Sequence, residues 1–394
     1  MAIKGNLQLM KEINTAMIMN YLHRNEKLTR AELTRMTKLS PTTVSGLIEQ
    51  LIGRNLVEII GEKIMPGAGR RALSLQINKN GGYVVGVSLN VHVLTCAIMN
   101  LHGEIVTEYR AKLEVGRKPL ADQIYDAITA CTAQTSEFRQ DSMMGIGISA
   151  PGIIDERAKT IVYSSQLKVT NFDLHKILSG MFPNVPIQIV NDSNAAAFAE
   201  HYFGAGKDLD NLVYLRIDDG IGAGIIVNSD IYSGKKGAAG EIGHIAVDPQ
   251  GEICKCGQVG CLETVLGSPY VLDKCGTIAA QIGVAAPESM EELLARYEAG
   301  EDWLEPIFDR ILYVCKVMIF GTVQFLSPEA VIVEGWINRS AKLMEKLNAS
   351  VETSSFPFVF SKIGLMPATF GEKGALYGSA ALMLQKIFSA SVLK

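Results

Sequence analysis

Four residues within eighteen positions carry the most specific chemistry in this 394-residue sequence. They are His244, in Gly240-Glu241-Ile242-Gly243-His244, and then Cys254, Cys256 and Cys261. Three thiolates and one imidazole fill a tetrahedral shell and leave no position for water, the arrangement that structural zinc prefers. Soft sulfur ligands also select zinc over magnesium or calcium. Gly257 and Gly260 permit the tight turns needed to fold three sulfurs onto one ion. The competing reading is a set of buried free cysteines beside an incidental histidine, and four ligating side chains in so short a span argue against it. One structural Zn2+ per chain is therefore expected. The other cysteines, Cys96, Cys131, Cys275 and Cys315, stand in apolar contexts and read as core. An odd total of seven fits a reducing cytoplasm better than a disulfide framework.

A second group of residues suits contact with an anionic polymer. Ser40 is a natural helix N-cap and Pro41 fits the first helical position, so a helix starts there with Val44, Leu47, Ile48 and Leu51 as its buried stripe. Its opposite face begins with the hydroxyls of Thr42, Thr43 and Ser45, which can bond base edges or phosphates. Further on, Gly67-Ala68-Gly69-Arg70-Arg71 joins glycines that let a backbone hug a duplex to arginines that are drawn into a narrow minor groove. Residues 1–75 carry 11 Lys/Arg against 6 Asp/Glu, a balance of +5, and the other 319 carry 26 against 35, a balance of −9. The net charge of −4 excludes a uniformly basic nucleic-acid coat, so only the front meets the polymer. A helical protein-interaction module with a solvated linker is the alternative. Charge, capping pattern and arginine linker together favour double-stranded DNA.

These side chains need a frame. Residues 7–22 place Leu9, Ile13, Met17 and Leu22 near helical spacing, and Thr29 with Glu32 forms a capping box for a second helix. Strand-like runs follow at 56–60 and 73–77. Three helices and a two-stranded wing predict a winged helix-turn-helix over residues 1–80, its third helix presented to the major groove. Over 81–394, hairpins open at Tyr83–Val87 with Val93–Met99 and at Leu212–Ile217 with Gly224–Val227. Helices are expected near 120–137, 303–325, 339–348 and 371–387, and strands at 144–149, 330–334 and around 358–366. Two α/β lobes with a cleft between them follow from that alternation. The longest run free of Asp, Glu, Lys and Arg, from Asn80 to Gly103, alternates as strands do and is broken by polar residues. With no signal-peptide pattern at the N-terminus, a cytoplasmic protein with no membrane partner is expected.

The Gly-Glu-x-Gly-His element and the cysteine cluster resemble the ROK family of repressors and sugar kinases. The resemblance covers essentially the whole chain, and the winged head makes it similar to the repressor branch. It implies an α/β fold: an N-terminal winged helix-turn-helix followed by an actin-like, two-lobed sugar kinase fold, with the zinc in the second lobe. It repeats the four zinc ligands read above. It also assigns effector contacts to Asn191 and Asp192, in Val-Asn-Asp-Ser-Asn-Ala-Ala-Ala, and to Glu241, His244 and Glu263. Carboxylates and amides can pair adjacent sugar hydroxyls and reject ligands that leave them unpaired. A histidine that holds a metal through one nitrogen can turn the other toward the sugar.

Kinases of this family hold ATP with an Asp-x-Gly-x-Thr hairpin, a Gly-Thr-Gly loop and a paired glycine near adenine. In the matching stretch from Val85 to His92 the acid position holds Ser88, and the glycines and threonine are missing. The second loop reads Asp218-Asp219-Gly220, and two carboxylates repel a phosphate. The third element reads Glu334-Gly335-Trp336, with one glycine lost and a bulky ring added. Asp192, the general-base position, is kept, yet a base without a phosphoryl donor transfers nothing. No catalytic residue is therefore expected. Gln166 stands where the family often has a sugar-contacting asparagine, with Asn171 nearby, so pentose, hexose and amino sugar phosphate stay open. The function expected is a repressor of carbohydrate metabolism genes that binds operator DNA as a homodimer or dimer of dimers and answers to a sugar or sugar phosphate. The alternative is an ATP-dependent sugar kinase with a fused DNA-binding domain.

Overall fold

The computed structural model describes residues 7–25, 27–64, 71–352 and 364–389. The chain forms two compact units, Met1–Val190 with Ser379–Lys394, and Asn191–Gly378.

The first unit opens with α1 (Leu7–Arg24), β1 (Leu28–Thr29), α2 (Arg30–Thr37), α3 (Pro41–Gly53), β2 (Val57–Ile64) and β3 (Arg71–Ile77), the strands ordered β1-β3-β2. The expected capping box forms: Thr29 Oγ1 accepts from the Glu32 N–H at 3.2 Å, and the Thr29 N–H donates to Glu32 Oε2 at 2.8 Å. Lys38, at φ 57°, turns the chain out of α2. Ser40 Oγ then accepts from the Thr43 N–H at 3.1 Å and starts α3 behind Pro41, whose lack of an N–H costs nothing there. Val44, Leu47, Ile48 and Leu51 are buried, as their spacing predicts. The stripe expected on α1 holds at Leu22, which is buried, and is corrected at its start: Leu9 and Ile13 are exposed, Met17 is half-buried, and Ala16, Ile18 and Met19 face the core. Apolar residues lie all round this helix, so periodicity alone does not choose its buried side.

A knot joins this head to the sheet that follows. The Asn78 amide donates to both the backbone and side-chain oxygens of Asn55, at 3.0 and 2.9 Å. A Cβ on Gly81 would lie 2.1 Å from the Asn55 carbonyl oxygen, so only glycine fits. The His102 ring bonds the Ile77 carbonyl at 3.0 Å.

The rest of the first unit is β4 (Tyr83–Leu89), β5 (Val93–Asn100), β6 (Ile105–Lys112), α4 (Leu120–Ala133), β7 (Met143–Ala150), β8 (Ile153–Asp155), β9 (Thr160–Ser164), β10 (Val169–Phe172), α5 (Leu174–Met181) and β11 (Ile187–Asn191). Its main sheet runs β11-β7-β4-β5-β6. The small sheet β10-β9-β8 has no sequence-derived counterpart, because strands of three to five residues show too little alternation to read. Gln166 lies exposed in the turn between β9 and β10.

The second unit holds α6 (Asp192–Tyr202), β12 (Leu212–Ile217), β13 (Ile221–Val227), β14 (Asp230–Ile231), α7 (Leu262–Leu266), α8 (Ser268–Ile282), α9 (Met290–Glu298), α10 (Glu305–Leu326), β15 (Ala330–Gly335), α11 (Ala341–Glu352) and β16 (Gly364–Pro367). Its sheet runs β14-β13-β12-β15-β16. The strand expected around 358–366 begins, within the described residues, at Gly364. Cys275, Phe308, Cys315 and Trp336 pack with the apolar side chains of β12 and β15, while Cys96 and Cys131 lie in the first lobe's core. The last helix, α12 (Gly374–Phe388), starts in the second unit and ends in the first. A Cβ on Gly378 would lie 1.7 Å from the Ala195 carbonyl oxygen of α6, so helix meets helix through bare backbone. At its other end Phe388 stacks on His23 of α1, ring centres 4.2 Å apart.

Candidate functional site

β11 delivers the chain to α6, whose first turn carries the two residues singled out for effector contact. Asn191 is the N-cap, its Oδ1 accepting from the Asn194 N–H at 3.1 Å, so half of its amide is engaged in starting the helix. Asp192 Oδ1 accepts from the Ser193 N–H at 3.0 Å, and its Oδ2 accepts from Arg216 Nη1 at 2.9 Å. Arg216 lies beside Glu334 in the parallel register of β12 and β15, its Nε 3.7 Å from Glu334 Oε2. Glu334 is 4% exposed. Burial pushes its carboxyl above the ordinary range, against the pull of Arg216. Burial alone would lower the Arg216 pKa, and the Asp192 and Glu334 carboxylates raise it instead. The guanidinium is thus a fixed cation between two acids.

Arg216, and the pairing of Glu334 with it, escaped the sequence reading, which took Glu334 only as part of the third kinase element. The signal was present: each is a lone charge in an otherwise apolar strand, Leu212-Val213-Tyr214-Leu215-Arg216-Ile217 and Ala330-Val331-Ile332-Val333-Glu334. A charge in such a strand needs a partner, and the two strands supply one to each other.

The Gly-Glu-x-Gly-His loop lies along β13. Gly240 sits at φ 89°, where a Cβ would come within 2.0 Å of the Ala223 carbonyl oxygen, and its own carbonyl accepts from the Ala223 N–H at 2.8 Å. That attachment sets Glu241 and His244. Burial raises the Glu241 pKa, His244 opposes it, and the Asp192 and Glu263 carboxylates raise it further, so the three acids share one electrostatic neighbourhood. Glu263, in the first turn of α7, is 8% exposed and lies 3.7 Å from Lys255 Nζ.

Among the described residues the structure brings the four expected metal ligands together, a ligating atom of each lying within 4.8 Å of the others. His244 Nδ1 is 3.6 Å from Cys254 Sγ, and its Nε2 lies 4.0 Å from Glu241 Oε2. One ring nitrogen thus faces the sulfurs and the other faces Glu241. Gly257 at φ 89° and Gly260 at φ 67° make the tight turns expected of them. This donor set and spacing fit one soft divalent ion. Burial and the neighbouring thiols push the Cys261 thiol up to about 12, so an ion entering the cluster displaces a proton there.

Asp218, Asp219 and Gly220 form the turn from β12 to β13. Burial raises the Asp218 pKa, and Asp219 accepts from the Ser268 hydroxyl. The third kinase element is corrected in one respect. The Trp336 ring is fully buried, donates to the Leu266 carbonyl at 3.0 Å and meets Phe308 edge-on, so it fills the second unit's core and no nucleotide pocket. Gly335, at φ 116°, makes that turn inward. In the head, Thr42 and Thr43 are exposed, each hydroxyl within 2.9 Å of Ser40 Oγ, and Ser45 is half-buried. Arg70 lies outside the described residues, and Arg71 opens β3.

A winged helix-turn-helix ahead of two sheet-and-helix lobes defines a DNA-binding head on a sugar-kinase-like body. Residues 84–386 match the ROK family and residues 12–63 match the MarR family. The chain belongs to the ROK family, with a MarR-type winged head. It is 29% identical over 397 aligned positions to a xylose repressor of Caldicellulosiruptor bescii, covering 98% of both chains. It is similar to the crystal structure of a ROK family transcriptional regulator, a homologue of the Escherichia coli MLC protein, with TM-score 0.83, 26% identity and 98% of both chains covered. A ROK family glucokinase from Streptomyces griseus, solved with glucose and AMPPNP, shares the body fold at TM-score 0.65 and 21% identity, over 76% of this chain and 99% of its own. No described helix is long and apolar enough to cross a membrane.

Proposed function

We propose that the chain is a sugar-responsive, DNA-binding transcriptional repressor of carbohydrate metabolism genes that transfers no phosphate. The observation that carries this reading is the joining of a capped, hydroxyl-bearing α3 to a body whose general-base position, Asp192, is bonded to Arg216 beside a loop of two carboxylates. The likeness to relatives with repressor names supports the regulatory half. Residues 1–80 act as the head, with Thr42, Thr43, Ser45, Arg70 and Arg71 on double-stranded operator DNA, and residues 81–394 bind the effector through Asn191, Asp192, Glu241, His244 and Glu263. His244, Cys254, Cys256 and Cys261 hold one structural zinc, which cross-links the loop that carries Glu241. The protein works in the cytoplasm as a homodimer or dimer of dimers. An effector moves the DNA equilibrium only through unequal affinity for the two arrangements of the heads.

The test is fluorescence anisotropy on duplex from the chain's own upstream region, with and without a sugar panel. Binding that an effector sugar changes, and that Arg70→Ala/Arg71→Ala weakens, is expected; a protein indifferent to duplex overturns the reading. The retained Asp192 favours the kinase as a second reading. ATP-dependent turnover of a sugar, lost in Asp192→Asn, would establish it.

A further inference from the structure

The reading above leaves open whether the effector carries a phosphate. This inference rests on that reading and decides between the two forms. Six acids of the second unit share one electrostatic neighbourhood: Asp192 and Glu334 meet at Arg216, Glu263 Oε2 lies 3.6 Å from where a Cβ on Gly220 would stand, and the fields of Asp218, Asp219 and Glu241 join them. Among the described residues, Arg216 and Lys255 pair with them. Arg216 is held between Asp192 and Glu334, and Lys255 lies by Glu263. Arg339, whose field reaches Asp218 and Glu334, is itself bound to Glu291 at 3.2 Å and Glu372 at 2.9 Å. A zinc ion with three thiolates and a neutral imidazole would add one more negative charge.

We propose that this face takes an unphosphorylated, uncharged sugar and rejects its phosphate esters, because Arg216 is already committed to the half-buried Asp192 and the buried Glu334. Carboxylates are acceptors, and the adjacent hydroxyls of a sugar are donors, so Asp192, Glu241 and Glu263 match an uncharged polyol group for group. A phosphomonoester brings close to two negative charges and only acceptors. Seating it needs free donors, and freeing Arg216 for it strands Glu334, at 4% exposed, without its partner. Arg216 is therefore a positioning residue. It keeps Asp192 Oδ2 pinned so that the carboxylate presents a fixed edge to hydroxyls.

The test is calorimetric titration of the full-length, metal-loaded chain with xylose, glucose and N-acetylglucosamine, and with the phosphate ester of each. At least one parent sugar is expected to bind while its ester binds at least ~100-fold more weakly, a gap of about 2.7 kcal/mol. That gap narrows as salt rises and narrows again in Asp218→Asn/Asp219→Asn, because it is electrostatic. Arg216→Gln weakens the parent sugar, and Arg216→Lys restores part of the loss. An ester that binds more tightly than its parent overturns this inference and leaves the repressor reading standing. A gap unmoved by salt and by the double variant also overturns it. If no sugar in either form binds, the repressor reading fails and this inference falls with it.

Discussion

The two main sheets of this protein are built to one plan and filled with different chemistry. Read from the antiparallel edge, β6-β5-β4-β7-β11 and β14-β13-β12-β15-β16 place a hairpin, then a parallel neighbour, in the same order. β4 pairs antiparallel with β5 and parallel with β7, and β12 does the same with β13 and β15. Counting back from each hairpin turn, Ser88 corresponds to Arg216, and their parallel partners are Ser149 and Glu334. The first sheet closes that position with two small hydroxyl side chains, Ser149 bonding the Val87 carbonyl at 3.3 Å. The second closes it with an ion pair. Among the described residues the buried carboxylates are Glu200, Glu263 and Glu334, all in the second unit, while the buried polar residues of the first are neutral. One lobe is scaffold, and its partner in plan carries the buried charge, the candidate metal ligands and the candidate effector residues.

The difference can be broken at several places. The largest effect is expected at the metal. Cys256→Ser, or chelation, should cost the second unit on the order of 5 kcal/mol or more and leave the first lobe folded. Hydrogen exchange resolved along the chain checks this: amides of 240–267 lose protection and those of 83–150 keep it. Metal analysis finding no zinc in the purified wild type would remove the premise. Next is Glu200, fully buried on α6, whose carboxylate accepts from the backbone N–H groups of Thr369 and Ala205, at 2.7 and 3.0 Å, and of Phe370. Glu200→Ala strands those donors and should cost about 3 kcal/mol by urea denaturation.

The matched position itself comes third. Glu334→Ser alone leaves Arg216 with one partner and should cost about 2 kcal/mol, while Arg216→Ser/Glu334→Ser, which copies the first sheet, should cost less than the sum of its two singles. Additive single costs would mean that the pair is no unit. The smallest effect is at Asp218. Its folded pKa lies above the ordinary 3.8, so its ionised form weighs against the fold at neutral pH and that burden lifts as pH falls through the folded value. Asp218→Asn should add less than ~1 kcal/mol at pH 7, a gain that vanishes as the pH drops below that range. Thermal melts across pH would show it.

Sequence legibility followed the same division. The head was legible because caps and turns are local: Thr29, Glu32, Ser40 and Pro41 act within one helical turn of themselves. The gathering of His244, Cys254, Cys256 and Cys261 was legible because residue type and close spacing mark a candidate metal cluster. The pairings of Arg216, Glu334 and Glu200 were not, because each matters through a partner that the chain reaches 24, 118 or 169 residues away. The true face of α1 and the inward turn of Trp336 depend likewise on what packs against them, which no local pattern records.

The knot at Asn78 bears on how such a head would meet a duplex. A domain on a free tether must give up its tumbling at the moment of contact, and that loss weakens the complex. Here the Asn55–Asn78 bonds and the close seat of Gly81 fix the head on β4's lobe as the chain folds. Little of that freedom is left to surrender on DNA. A head mounted in this way would meet its half-site with the stiffness of the body that carries it.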